Sequence, residues 1–189
     1  MCGKYHITTE DENISFREAI RQLMLEHPEI PIKTGDVLPS QIAPVYTAEG
    51  LVPLRFGHKA SFMKSLLINA RGETAAASPL FAPRLRAARC LVPARAFYEW
   101  SPQKKPFLFG NRQGGLLHMA ALWFPGDPVR EFVIITRDSA GIAAQVHPRM
   151  PLMFGTPELQ EAWLHQDGLA ESLLALKEEV PLIQLEQAG

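Results

Sequence analysis

Apolar side chains recur every three or four residues between positions 12 and 27, at Phe16, Ile20, Leu23 and Met24, which predicts a helix with one buried stripe. His27-Pro28 ends it, since the residue before a proline is pushed out of the α region. Most other apolar segments are short and rich in β-branched and aromatic residues. Residues 3–7, 51–56, 106–109, 116–124 and 132–136 read as strands, and residues 90–100 as an apolar block interrupted by Glu99. Residues 31–53 hold four of the sixteen prolines yet stay apolar, which predicts extended chain shaping a pocket rather than a linker. Gly57-His58-Lys59 reads as a turn, and residues 81–89 as a short segment carrying Arg84, Arg86 and Arg89. His147-Pro148-Arg149-Met150-Pro151 reads as a stiff connection, Pro157 opens a helix to about His165, and residues 169–177 predict another. Helices and strands do not alternate regularly. The fold class expected is therefore α+β, with short, largely antiparallel strands and helices outside, and not a doubly wound sheet.

The 189 residues fit one domain, 1–189, with a sizeable core. No apolar run reaches the 18 residues of a membrane span, and no charged leader precedes an apolar stretch at the start. Two cysteines, Cys2 and Cys90, make neither a disulfide framework nor a zinc site, so a reducing, cytoplasmic location is the expectation. The six histidines form no ligand motif, and no metal is assigned. The net charge of −1 hides a polarity: residues 53–112 carry eleven Lys/Arg against two Asp/Glu, net +9, while the segments on either side are acidic. A basic middle can present a cationic face to a phosphate backbone.

Position 2 is where reactive groups concentrate. If Met1 is removed, Cys2 carries an α-amine and a thiol, which titrate near about 8 and about 8.5 in unperturbed form. That 1,2-aminothiol can condense with an aldehyde to an imine, and the thiol can then close a thiazolidine on the imine carbon. An alternative reading makes the thiol an apolar plug. Glu99 lies among three aromatics, where burial raises a carboxyl's pKa and suits it to proton transfer; it also fits a sheet-edge position in solvent with Tyr98 facing inward. His147 is held by neighbouring prolines and can pass protons near neutral pH, or serve as a structural histidine with one hydrogen bond. Asn69 can hold a hydroxyl or the terminal amine, or cap the turn that follows. Arg71 and Arg149 can take phosphates, or form ion pairs, Arg71 with its neighbour Glu73. Arg55, Lys59, Lys64, Arg84, Arg86 and Arg89 can form a strand-binding surface or a solvated face, and Phe56 and Phe62 can stack on bases or belong to the core.

Taken together and in order, Met1-Cys2-Gly3-Lys4-Tyr5, Ala43-Pro44, Leu54-Arg55-Phe56-Gly57, Asn69-Ala70-Arg71-Gly72-Glu73-Thr74, Arg89-Cys90-Leu91-Val92-Pro93, Phe97-Tyr98-Glu99-Trp100 and His147-Pro148-Arg149-Met150-Pro151 resemble the SRAP (SOS response-associated peptidase) family, whose members shield abasic sites in single-stranded DNA. The resemblance spans about residues 1–155, with a family-like helical region after Pro157. It implies curved antiparallel sheets closing towards a barrel, and a thiazolidine between Cys2 and C1′ of the ring-opened sugar. It further implies that Asn69 holds the terminus and sugar, that Glu99 moves protons at the terminus, and that His147 assists ring opening. Arg71 and Arg149 would contact phosphates beside the lesion, with Lys4, Arg55, Phe62, Arg84 and Arg86 as further DNA-binding candidates. Peptidase and Schiff-base lyase chemistry are implied as accompanying activities, with no cofactor, no metal, and a monomer acting on damaged DNA at the nucleoid. Lys4, Gln41, Phe56 and Phe62 depart from the family's usual arginine, asparagine and tryptophans, which bears on strand binding rather than on the reacting groups. Two other classes of function remain: a thiol hydrolase of small amides or peptides with Cys2 as nucleophile and His147 as base, and a non-covalent single-strand binder.

Overall fold

In the computed structural model, residues 2–8, 14–61, 63–176 and 180–185 are described. They form, in chain order, β1 (Tyr5–Ile7), α1 (Ile14–Glu26), β2 (Gly35–Val37), β3 (Ile42–Thr47), β4 (Gly50–Phe56), β5 (Asn69–Arg71), α2 (Gly72–Ala75), α3 (Ala82–Ala87), β6 (Arg89–Ala94), β7 (Ala96–Trp100), β8 (Pro106–Asn111), β9 (Leu117–Phe124), β10 (Glu131–Asp138), β11 (Arg149–Pro151), α4 (Pro157–His165), α5 (Ala170–Leu174) and β12 (Leu182–Leu185). The helix expected at the start is α1, with Phe16, Ile20 and Leu23 as its buried stripe. The helix expected over 169–177 is shorter: a 3-10 turn over Asp167–Leu169 leads into α5, which ends at Leu174, and Lys177 lies outside the described residues. The stiff connection at 147–151 contributes a strand, β11.

Two curved, mostly antiparallel sheets carry the fold. One runs β12-β8-β7-β1-β2; the other has seven strands in the order β11-β10-β4-β3-β6-β9, with β5 added beside β10. Among the pairings of the named strands, those of β10 with β4 and β5 are parallel. The second sheet curls until β9 meets β10, but its links are uneven. β3 touches β6 through Tyr46↔Leu91 alone, and β4 meets β10 through two pairs, whereas β6 and β9 share six.

The continuous apolar runs follow from burial on both faces. Successive strand residues point to opposite sides. Phe132 and Ile134 enter a cluster shared with Tyr5, Phe97 and Phe109 of the first sheet, while Val133 and Ile135 enter a second cluster against Phe154 and Trp163. Cys90 and Val92 face the first cluster and Leu91 the second. Trp163 of α4 is fully buried and its indole N–H donates to the Cys90 carbonyl at 2.9 Å. Trp163→Ala is expected to cost about 3–5 kcal/mol and lower the melting temperature by about 6–20 °C, measured by thermal unfolding.

One glycine shapes the loop between β4 and β5. Gly57 sits at φ +98°, which L side chains rarely adopt, and Ile68 lies 3.3 Å from where a Cβ would stand. The chain turns there, and a His58↔Leu67 bridge closes the loop. His58 is further fixed by Glu131 at 2.7 Å and by stacking on Phe124.

Candidate active site around Cys2

β1 lies between β2 and β7, with Tyr5 opposite Phe97, and the Tyr98 N–H donates to the Lys4 carbonyl at 2.9 Å. Continuing that antiparallel register sets Gly3 across from Glu99, next to Cys2. In the chain that carries Met1, Cys2 is wholly buried in the core cluster shared by both sheets, the position of the apolar-plug reading and not that of an exposed leading residue. Its thiol lies 3.9 Å from the Lys4 carbonyl. Burial pushes the thiol's pKa up, and the nearby Glu99 carboxylate pushes it further, so the sulfur is held protonated.

β5 brings Asn69 to this point. Its parallel pairing with β10 aligns Asn69 with Ile134, and its Nδ2 donates to the Cys2 carbonyl at 3.2 Å and the Ile134 carbonyl at 3.5 Å. Asn69 Oδ1 is buried and has no partner among the described residues. On β7 the alternation turns Glu99 inward, 1 % exposed, and Tyr98 outward, the reverse of the sheet-edge reading. Glu99 Oε2 stands 3.7 Å from His147 Nδ1. Burial raises the Glu99 pKa, and the imidazole moderates the rise. His147 Nδ1 lies 3.0 Å from both the N–H and the carbonyl of Arg149. Accepting that N–H leaves the neutral ring's proton on Nε2. Cys2, Asn69, Glu99 and His147 thus meet from four separate segments.

The cationic candidates divide. Arg71 ends β5 exposed, and among the described residues it forms no ion pair with Glu73 or any other acid; Arg86 is exposed on α3. Arg84 is half-buried, its guanidinium 5.7 Å from the Phe124 ring. Lys4 is held by Asp36 at 2.7 Å and lies over the Tyr98 ring. Arg55 lies 3.5 Å from Glu131. Arg149 is taken up by Glu73, Asp138 and Thr136. Arg89 does not join a strand-binding surface: it is 5 % exposed and bonded to Asp167 and to the Leu85, Arg86 and Trp163 carbonyls. Phe56 is core, stacked on Phe132 at 5.2 Å, and so offers no plate to a base. Phe62 lies outside the described residues. An open groove of about 610 Å³ is lined by Met63, Leu67, Ser78, Pro79, Leu80 and Phe81. In chain order its walls flank the strand that carries Asn69 and Arg71.

Sequence reading missed Asp36, which gathers Lys4, His6 and Tyr98, and missed the partner of Glu73, which is Arg149 rather than Arg71. An isolated acid directly after Gly35 carries no such signal. Among the described residues no group of three or more His, Cys, Asp or Glu is placed to hold a metal ion, and no helix is long and apolar enough to cross a membrane.

Fold and site together describe an α+β protein whose candidate reacting groups gather on its second residue. The chain belongs to the SOS response associated peptidase (SRAP) family, whose profile matches residues 1–187. It is 30% identical over 183 residues to the abasic site processing protein YoqW of Bacillus subtilis, covering 87% of this chain and 80% of that one. It is 30% identical over 181 residues to the abasic site processing protein YedK of Escherichia coli, covering 88% and 81%. Among solved structures, a protein from Bacteroides thetaiotaomicron superposes with a TM-score of 0.74 at 20% identity, over 98% of this chain and 92% of the other. A phage-related protein from Bordetella bronchiseptica gives 0.71 at 23%, over 98% and 95%.

Proposed function

We propose that this chain, once Met1 is removed, captures the aldehyde of an abasic site in single-stranded DNA on Cys2 and holds it as a thiazolidine. The observation that carries this reading is the convergence of Asn69 and the buried Glu99–His147 pair on Cys2, in a chain whose relatives are named abasic site processing proteins. Met1 removal changes the site in two ways. The Cys2 nitrogen goes from an amide to an amine, and in its ammonium form that group favours the thiolate beside it. Asn69 Oδ1, buried without a partner among the described residues, is an acceptor suited to that ammonium.

The reaction then balances with protons alone. His147 assists opening of the sugar ring and exposes the C1′ aldehyde. Glu99 takes a proton from the ammonium, and the free amine attacks C1′ to give a carbinolamine. Protonation of its hydroxyl releases water and leaves the imine. The sulfur adds to the imine carbon and its proton goes to the nitrogen. The sum is aminothiol plus aldehyde giving thiazolidine plus one water. A thiol hydrolase would instead turn over an unmodified amide and release product with no strand present.

Arg71, Arg86, Lys59 and Lys64 are exposed cations of the basic middle segment that phosphates could meet, and the Met63–Leu80 groove offers apolar walls to bases. An intact nucleotide has no free aldehyde, so the lesion supplies the selectivity. The test is a denaturing gel with two strands, one carrying an abasic site and one carrying a tetrahydrofuran analogue that lacks the aldehyde. The abasic strand alone is expected to give a heat-stable adduct; adduct with both strands, or with neither, overturns the reading. Arg71→Ala is expected to weaken binding of intact and abasic strands alike and to reduce the slope of log affinity against log salt by about 1, measured by titration at several salt concentrations.

A further inference from the structure

Glu131 opens β10 and is 8% exposed. Its neighbours across the sheet are Arg55 of β4 and Phe124 of β9. A carboxylate in that setting is costly unless donors reach it. They come from one stretch of chain, the end of β4 and the loop that follows. His58 Nδ1 donates to Oε2 at 2.7 Å, the Lys59 N–H donates to the same oxygen at 3.2 Å, and Arg55 Nη1 donates to Oε1 at 3.5 Å. A carboxylate oxygen facing a ring nitrogen accepts, so His58 carries a proton on Nδ1. The same ring stacks on Phe124, with centroids 4.1 Å apart and planes 10° from parallel.

These contacts fix one end of a loop whose other end is fixed by the same strand. The Gly57 N–H donates to the Phe132 carbonyl at 2.8 Å, and the Ile134 N–H donates to the Ile68 carbonyl at 3.0 Å, one residue before Asn69. Between them His58 and Leu67 exchange backbone hydrogen bonds at 2.8 and 2.9 Å, which pinch the loop at its base. Lys59, Met63 and Lys64 lie exposed on the loop, and Met63 and Leu67 belong to the wall of the apolar groove. β10 thereby sets the spacing between this loop and Asn69, whose amide donates to the Cys2 carbonyl. A surface that must meet phosphates and bases at a fixed distance from a reacting centre gains from such attachment, because its ordering is complete before the strand arrives.

We infer that Glu131, through His58 and Lys59, is a positioning residue that presents the loop between β4 and β5 to single-stranded DNA at a set distance from Cys2. That this loop meets a strand rests on the function proposed above; its attachment to Glu131 does not. A carboxylate beside Arg55 and Lys59 has a plainer effect as well, which is to screen those cations from phosphates. The two effects predict opposite results when the charge is removed. Without a screen, strand binds more tightly. Without an attachment, the loop moves and strand binds more weakly, although the reacting groups are untouched.

Glu131→Gln and His58→Phe are compared with the parent protein, all lacking Met1. Glu131→Gln is expected to weaken binding of an intact single strand about tenfold, with the rate of adduct formation at saturating abasic strand within about twofold of the parent. His58→Phe keeps a ring on Phe124 and removes the Nδ1 donor, and is expected to weaken binding in the same direction. Without DNA, amide hydrogen exchange at Lys59 and Leu67 is expected to quicken about tenfold in both variants. The Ala120 amide, which donates to the Leu152 carbonyl far along the chain from the loop, is expected to exchange as in the parent. If Glu131→Gln fails to fold, His58→Phe carries the same expectations. Tighter binding by Glu131→Gln overturns the inference in favour of a charge screen. Parent-like exchange at Lys59 and Leu67 overturns it outright, and equal quickening at Ala120 overturns it in favour of a contribution to overall stability alone. If the parent binds no strand, the proposed function fails, and the exchange pattern alone decides whether Glu131 holds the loop.

Discussion

Cys2→Ser is expected to lower the yield of heat-stable adduct with an abasic strand by about 100-fold or more, equivalent to at least ~2.7 kcal/mol in the stability of the link. Serine leaves the α-amine in place, so the imine still forms. Its hydroxyl is a much weaker nucleophile than a thiol and closes the ring poorly. The imine then hydrolyses on heating, while non-covalent binding of the strand persists because Arg71 and Arg86 are untouched. The measurement is a denaturing gel after heating, with affinity for intact strand as the control. An equally heat-stable adduct from the serine variant would show that sulfur is not part of the link.

The second large effect is expected at Glu99. Glu99→Gln keeps the shape of the side chain and removes its proton acceptor, and should slow adduct formation about 100-fold. Burial raises the Glu99 pKa, so its carboxylate fraction grows at a higher pH than for an ordinary glutamate. The parent's rate is expected to climb as pH rises through that raised pKa, and glutamine should flatten this limb of the profile. Stability should move the other way. With its folded pKa raised above the unfolded one, Glu99 contributes stability that is fully present below the unfolded value, near about 4.3, and is lost as pH rises through the folded value. Glutamine does not ionise and suffers no such loss. Glu99→Gln should therefore melt above the parent at neutral pH, with the gap closing as pH falls towards about 4. A parent-like rate with a parent-like pH profile would remove Glu99 from the proton transfers.

The pattern of the chain carried some parts of this structure and not others, for physical reasons. β10 was legible because both of its faces are buried, which leaves an unbroken run from Phe132 to Ile135. α1 was legible because a single stripe meets the core. β5 was not: Asn69-Ala70-Arg71 has no apolar pattern, and it becomes a strand only because β10 supplies a parallel partner. Asn69, Glu99 and His147 could be nominated from residue type and setting, but their meeting depends on pairings between β1 and β7 and between β5 and β10. The fate of each arginine was least legible. Arg71, Arg89 and Arg149 look alike in sequence. Arg89 is buried against carbonyls of α4, Arg149 is paired with an acid 76 residues away, and Arg71 is exposed. The burial of Cys2 had residue type alone behind it, in the apolar-plug reading, because it comes from two sheets closing over the start of the chain.

The central claim is that the nitrogen and sulfur of a leading cysteine together trap a sugar aldehyde. Intact-mass measurement of the purified protein, before and after mixing with an abasic single strand, tests it most directly. The account predicts a chain lighter by one methionine, which gains the mass of the strand less one water, with the attachment mapped to residue 2. A protein that retains Met1 yet gains the strand, or one that loses Met1 and gains nothing or is modified elsewhere, would contradict it.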